Sequence, residues 1–565
     1  MSHFTTVTHH DSRGSGGAPV SPDKPPASRR RLRHIGAMLA GSIVLATLLL
    51  VLANLAFAQS AKKKSTPHLK PFLVEDIYPG KTGSEPNWLV DFKGRLLFGA
   101  NHPKFGEELW RSNGTKPGTK LVKDIDPGPL VIKKMEKTET GSSAPDSVMR
   151  TKKWIYFQAT TVKYGDELWK SDGTKWGTKI VKDIAPGPGV SDPEDIVSTA
   201  PRTTFFRAWD KKHGEELWKT DGTEKGTKLI KDINPDLPPG ARCDQSDCGI
   251  PKGWSHPDTV TVMGKQVFFA ADDGKHGVEL WKSDGTEKGT TLVKDINTVK
   301  GNSNPNDKGD ALTRSAEVEK LYVVGKTLYF RASDGKHGVE LWKSDGTNRG
   351  TRLVKDINPA APAPINTACK DRKSCVGSSW VDDITVVGKT AAGRRIYFTA
   401  TDGKRGLELW KSDGTNKGTK LVRSINPSSA REASDISNLV ALRRRLYFSA
   451  NDGKNGLELW KSDGTRSGTR LVKDINTGSA DSNPDSLTAF KGRLLFSADD
   501  GVHGYEMWRS NGTKANTGLL INLEPGAGGS EPGELTISGP LLYFAASTPS
   551  AGEELWAVVP RGIGR

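Results

Sequence analysis

Apolar residues in this chain come in short runs with strand-like character. Around Trp342 four such runs follow one another, rich in β-branched and aromatic residues: residues 320–324, 327–332, 339–343 and 351–357. Each is bounded by Gly or Asp-Gly, the residues that tight hairpin turns require. The pattern predicts four antiparallel strands forming one small sheet.

Both faces of this predicted sheet are apolar. Leu328 and Phe330 lie on one face of their strand and Tyr329 on the other, while Leu341 and Trp342 take opposite faces of theirs. Such a sheet is buried on both sides when several sheets stack around an axis. An open β-solenoid would also stack its repeats, but its coils are parallel and usually shorter. We therefore expect an all-β fold, a β-propeller.

The four-run pattern recurs with the phrase Glu-Leu-Trp-Lys-Ser-Asp-Gly-Thr at intervals of roughly 48 to 68 residues, as propeller blades do. The large apolar Trp, flanked by Leu, is expected to pack between blades rather than to stack on a ligand. It stands at Trp110, Trp169, Trp218, Trp281, Trp342, Trp410, Trp460, Trp508 and Trp556. Nine four-stranded blades are predicted. Eight remain the alternative, because the unit around Phe205 is degenerate.

The two ends of the repeat region predict how the ring closes. Residues 72–77 resemble a last strand, as found at residues 353–357, but no earlier strands precede them. After Trp556 the last unit lacks a fourth strand of its own. The early segment is therefore expected to complete the last blade, with the propeller spanning residues 71–559 and a tail at 560–565.

The repeated phrase also carries a family resemblance. Residues 279–286 read Glu-Leu-Trp-Lys-Ser-Asp-Gly-Thr, and the chain resembles the bacterial ELWxxDGT repeat family over roughly residues 70–559. Departures are Asn113 and Asn511 in place of the motif Asp, and Ala557-Val558 in place of the last turn. The resemblance implies an exported or surface repeat protein without an established common activity.

The N-terminal region predicts export. Residues 1–35 are polar and end in an arginine cluster, and residues 36–58 form an uncharged, mostly apolar run. The run fits a signal peptide, with Ala56-Phe57-Ala58 as cleavage site, and is also long enough to span a bilayer. Residues 59–70 then form a linker. Both alternatives place the propeller outside the cytoplasm, secreted or anchored, with membrane contact only through an uncleaved 36–58 segment.

Four cysteines lie in two predicted loops and none lies in a predicted strand. Local pairs in the long loops of an exported protein predict two disulfides. A four-thiolate zinc site is the alternative, although the spacings are wider than usual for zinc. The pairs are Cys243 with Cys248 and Cys369 with Cys375.

The formal net charge of +16 raises the possibility of an anionic partner outside the cell, such as an acidic polysaccharide, a phosphate polymer or a lipid surface. The alternative is that neighbouring carboxylates neutralise the lysines, because most of the lysines belong to the repeat itself. Nucleic acid is disfavoured, since no recognised binding motif for it appears.

Repetition argues against a catalytic role for the motif residues. An active site needs one arrangement of groups, whereas the motif glutamate recurs in nine units. We expect that glutamate to be buried and satisfied by backbone amides or a lysine, because an unpaired buried charge is costly. No enzyme motif, catalytic residue or cofactor is predicted. Calcium at oxygen-rich turns such as residues 271–274 stays an alternative, although no turn has the acidic density of a calcium loop.

Four blade-to-blade connections are about twice as long as the others, and long ordered loops tend to be functional. They are residues 126–147, 234–259, 297–318 and 358–383. All such connections emerge on one face, and three of the four join consecutive blades. Candidate binding residues over blades 3–6 are Trp254, His256, Arg372 and Trp380.

The leading hypothesis is a binding scaffold acting through this loop-rich face. A carbohydrate-active hydrolase or lyase, using carboxylates from the long connections, is one alternative. A purely structural envelope protein, in which the long connections are neutral elaborations, is the other.

Overall fold

The computed structural model describes residues 69–132, 137–200, 203–235, 254–299, 315–359, 377–388, 395–427 and 434–560. Nearly all of these belong to strands or to the turns that join them. Among these residues we find no helix with the length and apolar character needed to cross a bilayer. The predicted signal or anchor at residues 36–58 lies outside the described segments.

Nine four-stranded antiparallel sheets form the blades, and in blades 1–8 the strands follow one another in chain order. The first strands are Asn87–Phe92, Asp146–Arg150, Glu194–Ala200, Asp258–Met263, Glu319–Val324, Asp382–Val387, Ser437–Leu442, Asp485–Phe490 and Gly533–Ser538. The second strands are Arg95–His102, Ile155–Thr161, Thr203–Asp210, Gln266–Asp272, Thr327–Ser333, Arg395–Ala400, Arg445–Asn451, Arg493–Asp499 and Leu541–Thr548.

The third strands carry the motif and the fourth strands are short. The third strands are Gly106–Ser112, Gly165–Ser171, Gly214–Thr220, Val278–Ser283, Val339–Ser344, Glu408–Ser412, Leu457–Ser462, Tyr505–Ser510 and Gly552–Val558. The fourth strands are Lys120–Lys123, Lys179–Ile180, Lys228–Leu229, Thr291–Lys294, Arg352–Lys355, Lys420–Arg423, Arg470–Lys473, Gly518–Ile521 and, for blade 9, Phe72–Glu75. A hairpin, Pro129–Ile132 with Lys137–Thr140, decorates the connection from blade 1 to blade 2. Two 3-10 turns are Lys116–Gly118 and Lys514–Asn516.

The ring closes as the sequence predicts. Leu73 in the early strand pairs with Trp556 in the third strand of blade 9. The first strands of blades 9 and 1 are in contact, and the backbone N–H of Ser84 donates to the carbonyl of Glu553 at 2.8 Å. The unit containing Phe205 is a complete blade. The alternative of eight blades is therefore wrong, and nine is confirmed.

The hydrophobic core is divided among the junctions between blades. Leu328 and Phe330 pack in the cluster between blades 4 and 5, whereas Tyr329 and Leu341 pack in the cluster between blades 5 and 6 together with Trp410. Nine such clusters occur, one at each junction. The predicted alternation of faces is confirmed, and blade stacking is what removes this apolar surface from water.

The Asp-Gly-Thr segment of the motif builds a self-contained turn between the third and fourth strands. In blade 4, Oδ1 of Asp284 accepts from the backbone N–H of Thr286 at 2.9 Å and from its hydroxyl at 2.7 Å. Gly285 has φ +87°, which an L side chain tolerates poorly. A Cβ on Gly289 would overlap the carboxylate of Asp284. The motif is therefore conserved between blades because the turn needs each of these residue types.

The motif lysines act across blade junctions. Lys282 of blade 4 donates to the carbonyl of Gly346 in the turn of blade 5 at 2.8 Å. The same bond joins Arg111 to Gly173, Lys170 to Gly222, Lys219 to Gly285, Lys343 to Gly414, Lys411 to Gly464 and Lys461 to Gly512. The direct hydrogen-bond partner at this position is thus a carbonyl of the next blade. Neighbouring turn carboxylates also act on several of these lysines, since burial lowers the pKa values of Lys170 and Lys343 and the charges of Asp221 and Asp413 oppose that lowering.

The strand order assigns the turns to two faces. Because neighbouring strands run antiparallel, blade-to-blade connections emerge beside the turns between second and third strands, and these make up the loop-rich face. The turns between first and second strands and the Asp-Gly-Thr turns lie on the opposite side, which we call the turn face.

Candidate functional site

Each connection ends in the same bent geometry where it meets the first strand of the next blade. In blade 4, His256 has φ 42° and Thr259 has φ 54°, and the strand register shifts between Asp258 and Thr261. Positive φ at the corresponding two positions recurs in all nine blades, at Glu85 and Trp88, Ala144 and Ser147, Asp192 and Asp195, Glu317 and Lys320, Trp380 and Asp383, Asp435 and Asn438, Asn483 and Ser486, and Glu531 and Glu534. Left-handed backbone at a non-glycine residue is strained, so the surrounding hydrogen bonds must hold it.

The buried motif glutamate provides those hydrogen bonds. Glu216 accepts from the backbone N–H groups of Ile233 and Asn234, at 3.2 and 3.3 Å, and from the hydroxyl of Ser255 at 2.7 Å. It thereby ties the end of the fourth strand to the start of the next blade. Burial raises the pKa of Glu216 to about 8. The expected structural role of this glutamate is confirmed.

The motif tryptophans are packing residues, as expected. Eight of them are between 3% and 7% exposed. Trp556 is partly buried against the cluster between blades 8 and 9. None of these tryptophans presents its ring face to solvent in a way that would serve a ligand.

The loop-rich face departs from ninefold repetition at blades 3 and 4. Arg207, on the second strand of blade 3, forms ion pairs with Glu194 and with Glu215, the latter at 3.4 Å. Nδ1 of His256 contacts Glu215 from the start of blade 4. The hydrogen bond that the Glu215 carboxylate accepts from the His256 ring raises the pKa of His256. The side chain of His256 remains 40% exposed, so it is available to a partner.

Trp254 has a more structural position than expected. Its carbonyl accepts from Nδ2 of Asn234 at 3.3 Å. Its indole packs against Gly214 so closely that a Cβ there would overlap the ring. Trp254 therefore anchors the connection before blade 4, and it positions His256 two residues later.

A second charged group lies at blades 5 and 6. Arg331, on the second strand of blade 5, pairs with Glu319 and lies 4.0 Å from Oδ2 of Asp382 in blade 6. Its guanidinium is 6.0 Å from the ring centroid of Trp380, within reach of a cation–π contact. Lys320 approaches Oδ1 of Asp382 at 3.5 Å. The structure thus brings Trp380 into a group that matches the one around His256, two blades away.

Two carboxyl groups interact at the junction of blades 3 and 4, beside His256. Burial raises the pKa of Asp195 in blade 3 to about 6, and the charge of Asp258 in blade 4 adds to the rise. The backbone N–H of Val260 donates to Oδ2 of Asp195 at 3.4 Å. One of the two carboxyls therefore holds a proton more readily than an ordinary aspartate does.

We call these residues the inner-strand cluster. Its members lie at the starts of the first strands of blades 3–6 or pair with residues there. They are Asp192, Glu194, Asp195, Arg207, Glu215, His256, Asp258, Glu317, Glu319, Lys320, Arg331, Trp380, Asp382 and Asp383. Within this cluster, nine acidic side chains stand against one lysine and two arginines. Although the whole chain is basic, this described part of the loop-rich face is acidic.

Sequence reasoning found part of the cluster and missed its arginines. Arg372 and all four cysteines lie outside the described residues, so the disulfide and zinc alternatives stay predictions. Arg207 and Arg331 were not predicted, although aligning the blades exposes them. Second strands elsewhere carry Gly99, Gln158, Ala270, Thr399, Ser449, Ser497 or Ala545 at that position.

The turns between second and third strands bind their own histidines. Asp273 accepts from the backbone N–H of His276 at 2.9 Å and contacts its Nδ1 at 2.8 Å. The oxygens considered for calcium are therefore engaged within the turn. Over the described segments, no group of three or more His, Cys, Asp or Glu side chains has the arrangement of a metal site.

No protein-family model and no curated protein matches the sequence. Among solved structures, the computationally designed Ika8 protein is similar over 75% of this chain and 96% of its own, with 12% identity and a TM-score of 0.35. A prolyl endopeptidase is similar over 76% of this chain, with 13% identity and a TM-score of 0.37, and the match spans 54% of the endopeptidase. A puromycin-hydrolyzing peptidase of Mycobacterium tuberculosis gives 11% identity, a TM-score of 0.33, and 74% and 60% coverage. TM-scores this low do not indicate a shared activity.

Proposed function

We propose that this protein is an exported or surface-anchored binding scaffold whose loop-rich face, at blades 3–6, docks a partner that presents cationic groups. The export rests on the apolar run at residues 36–58. The observation that carries the docking face is the inner-strand cluster, where the ninefold repeat is replaced by two matching groups of charges. Membership of the ELWxxDGT repeat family is part of the same proposal.

The exposure of the cluster supports recognition over a purely structural role. The side chains of Glu194, Glu319 and Lys320 are 37%, 44% and 45% exposed. The arginine partners of the two glutamates, Arg207 and Arg331, are only 15% and 14% exposed, so the water-facing part of each ion pair is its carboxylate. Carboxylates held in place in this way give an interface orientation and charge complementarity. A structural envelope protein would not need two arginines that the other blades lack.

The sign of the charge favours a cationic partner at this place. Carboxylates dominate the described cluster, and its arginines are already engaged by Glu194, Glu215 and Glu319. An approaching anion would meet an excess of like charges in this cluster, whereas ammonium or guanidinium groups would meet an excess of carboxylates. The anionic partner expected from the net charge stays a prediction, and it finds better support on the turn face.

The test is binding of a fluorescent lysine octapeptide and of chitosan oligosaccharides to the full-length protein. Fluorescence anisotropy at about 50 mM and about 500 mM NaCl separates electrostatic from other binding. We expect saturable binding that weakens in high salt and that falls when Glu194→Gln and Glu319→Gln are combined. Glu287→Gln with Glu224→Gln, both exposed on the turn face, removes the same charge elsewhere. Equal loss in both double variants, or no binding, contradicts the proposal.

The Asp195 and Asp258 pair favours a second candidate, the carbohydrate-active hydrolase. A carboxyl with its pKa raised to about 6 can serve as the general acid that glycoside hydrolysis needs, and Asp258 is the second carboxyl beside it. Hydrolysis of a panel of fluorogenic glycosides by the wild type, abolished by either Asp195→Asn or Asp258→Asn alone, would establish it. If the wild type hydrolyses none of these glycosides and both variants still bind the cationic probes as the wild type does, the binding scaffold is the remaining candidate.

A further inference from the structure

We propose that the turn face at blades 7 and 8 holds a binding site for the oxyanion groups of a linear polyanion, built around Arg443, Arg444 and Arg445. This site is on the opposite side of the ring from the inner-strand cluster and is independent of it. A cavity of about 400 Å³ is lined there by the three arginines together with Leu442, Tyr447, Gly492 and Asn511.

The site is formed by the turns of two neighbouring blades. Arg443 and Arg444 make the tight turn between the first and second strands of blade 7, and Arg443 has φ 60°. The guanidinium of Arg443 lies over the equivalent turn of blade 8, where a Cβ on Gly492 would be 2.8 Å from Nη2. The absence of a side chain at Gly492 therefore keeps the cavity open above that guanidinium.

Among the described residues, the three arginines form no close ion pair, although the charge of Asp463 acts on Arg445. Within the part of the chain that the structure describes, none of them forms an ion pair with a carboxylate. Oδ1 of Asp463 accepts from the backbone N–H and the hydroxyl of Thr465, and these hydrogen bonds, together with the charge of Arg445, lower the pKa of Asp463. Asp463 thus offsets part of the charge of Arg445, and the exposed Arg443 and Arg444 are the arginines most open to an anion.

A departure from the motif adds to the positive potential. Blade 8 carries Asn511 where most blades carry the motif aspartate. Oδ1 of Asn511 still accepts from the backbone N–H and the hydroxyl of Thr513, at 3.0 and 2.7 Å, so the turn keeps its form. The substitution has removed one negative charge from the wall of this cavity without cost to the turn.

Further cations surround the cavity along the same arc of the ring. Burial and then the charge of Arg493 lower the pKa of Arg509 in blade 8. Burial raises the pKa of Tyr447, and the charges of Arg445 and Arg443 oppose that rise. Several guanidinium groups spaced over two blades match successive phosphates or carboxylates of a chain better than a single small ion.

Among the described turns between first and second strands, those of blades 4 and 5 lack the arrangement. They read Gly264-Lys265 and Gly325-Lys326, with one lysine each. A lysine is a point charge, whereas an arginine offers paired donors to one oxyanion. The turn face at blades 7 and 8 thus offers paired guanidinium donors that the described turns of blades 4 and 5 do not.

The test uses the full-length protein with fluorescent inorganic polyphosphate and fluorescent polygalacturonate as probes, and orthophosphate as competitor. Comparing the two probes distinguishes a phosphate polymer from a carboxylate polymer. Competition by orthophosphate distinguishes polymer binding from binding of a single ion. We expect at least one polymer to bind with an affinity that falls as salt rises, and orthophosphate to compete poorly. Binding of orthophosphate alone, or of anionic lipid vesicles but neither polymer, would overturn the proposal.

Matched variants assign the site. Combining Arg443→Ala, Arg444→Ala and Arg445→Ala should lower polymer affinity by about tenfold or more. Combining Lys225→Ala, Lys288→Ala and Lys417→Ala, three exposed lysines in turns of the same face, removes equal charge and should lower it much less.

Asn511→Asp guards against a folding artefact, because aspartate forms the same turn in other blades. This variant should keep the wild-type unfolding midpoint and weaken polymer binding several-fold. Equal losses from the two triple variants, or Asn511→Asp without any effect on binding, would contradict the assignment of the site.

Discussion

The buried motif glutamates predict a local and measurable loss when one is removed. In blade 7 Glu458 accepts from the backbone N–H groups of Ile475 and Asn476, at 2.9 and 3.0 Å, and from the hydroxyl of Ser482 at 2.7 Å. Glu458→Ala deletes all of these acceptors at a position that is 0% exposed. The perturbation therefore isolates the link between one blade and the next.

The magnitude follows from the groups left without partners. The Ser482 hydroxyl keeps the carbonyl of Leu457 as an acceptor at 3.3 Å, so the cost comes from the two backbone N–H groups. Each buried donor without a partner costs about 1 to 3 kcal/mol, giving about 2 to 6 kcal/mol in total. The substitution also removes the cost of burying the Glu458 carboxyl, a burial that raises the pKa of that group to about 7, and this partly offsets the loss of stability. At about pH 5 the glutamate is mostly protonated in the fold, so that cost stays below about 1 kcal/mol and the lost hydrogen bonds dominate.

The assay is guanidinium denaturation at about pH 5, combined with hydrogen exchange of the backbone amides of Ile475 and Asn476. Glu458→Gln is the matched control, because its remaining carbonyl oxygen satisfies one of the two amides. We expect Glu458→Ala to lose about twice as much stability as Glu458→Gln, with faster exchange confined to this junction. Equal stability of the wild type and Glu458→Ala would refute the reasoning.

Three further predictions follow from the same contacts. Six motif glutamates have pKa values raised to about 7 or 8 against an ordinary value of 4.5, so the fold binds protons more tightly than the unfolded chain between those values. Stability should then fall as the pH rises from about 4.5 to about 8, and a higher unfolding midpoint at pH 8 than at pH 5 would contradict it. Lys282→Met keeps the side-chain stem but loses the bond to Gly346, and should cost about 1 kcal/mol in denaturation; a cost above that of Glu458→Ala would reverse our ranking. Trp410→Ala empties a site that is 6% exposed and should cost about 3 to 5 kcal/mol, with faster amide exchange between blades 5 and 6; unchanged exchange there would argue against Trp410 as a junction residue.

The architecture could be predicted from the sequence because it depends on periodic features. Leu328, Tyr329 and Phe330 alternate between two junction cores, as the period of a strand requires. The early strand around Leu73 could be paired with Trp556 because the last unit lacked a strand. Both inferences need only local geometry and the repeat.

The charged contacts could not be predicted in the same way because they join residues of different blades. Lys282 and Gly346 are 64 residues apart, and no local pattern shows that the lysine would choose a carbonyl over a carboxylate. Nothing near Arg207 or Arg331 in the sequence distinguishes them from surface arginines. Their contacts with Glu215 and Asp382 depend on the strand register and on the next blade. The basic composition likewise did not show that the inner-strand cluster would hold more carboxylates than cations.

The closed ring of nine blades underlies every assignment of a residue to a face. In the pairing that closes it, Phe72 lies opposite Ala557, and opposed residues of antiparallel strands are close enough for a disulfide. Phe72→Cys with Ala557→Cys should crosslink on mild oxidation of the folded full-length protein, detected as one linked peptide by mass spectrometry, while Phe72→Cys with Ser462→Cys in blade 7 should not. Failure of the first pair to link, or equal linking of both pairs, would contradict the closed ring.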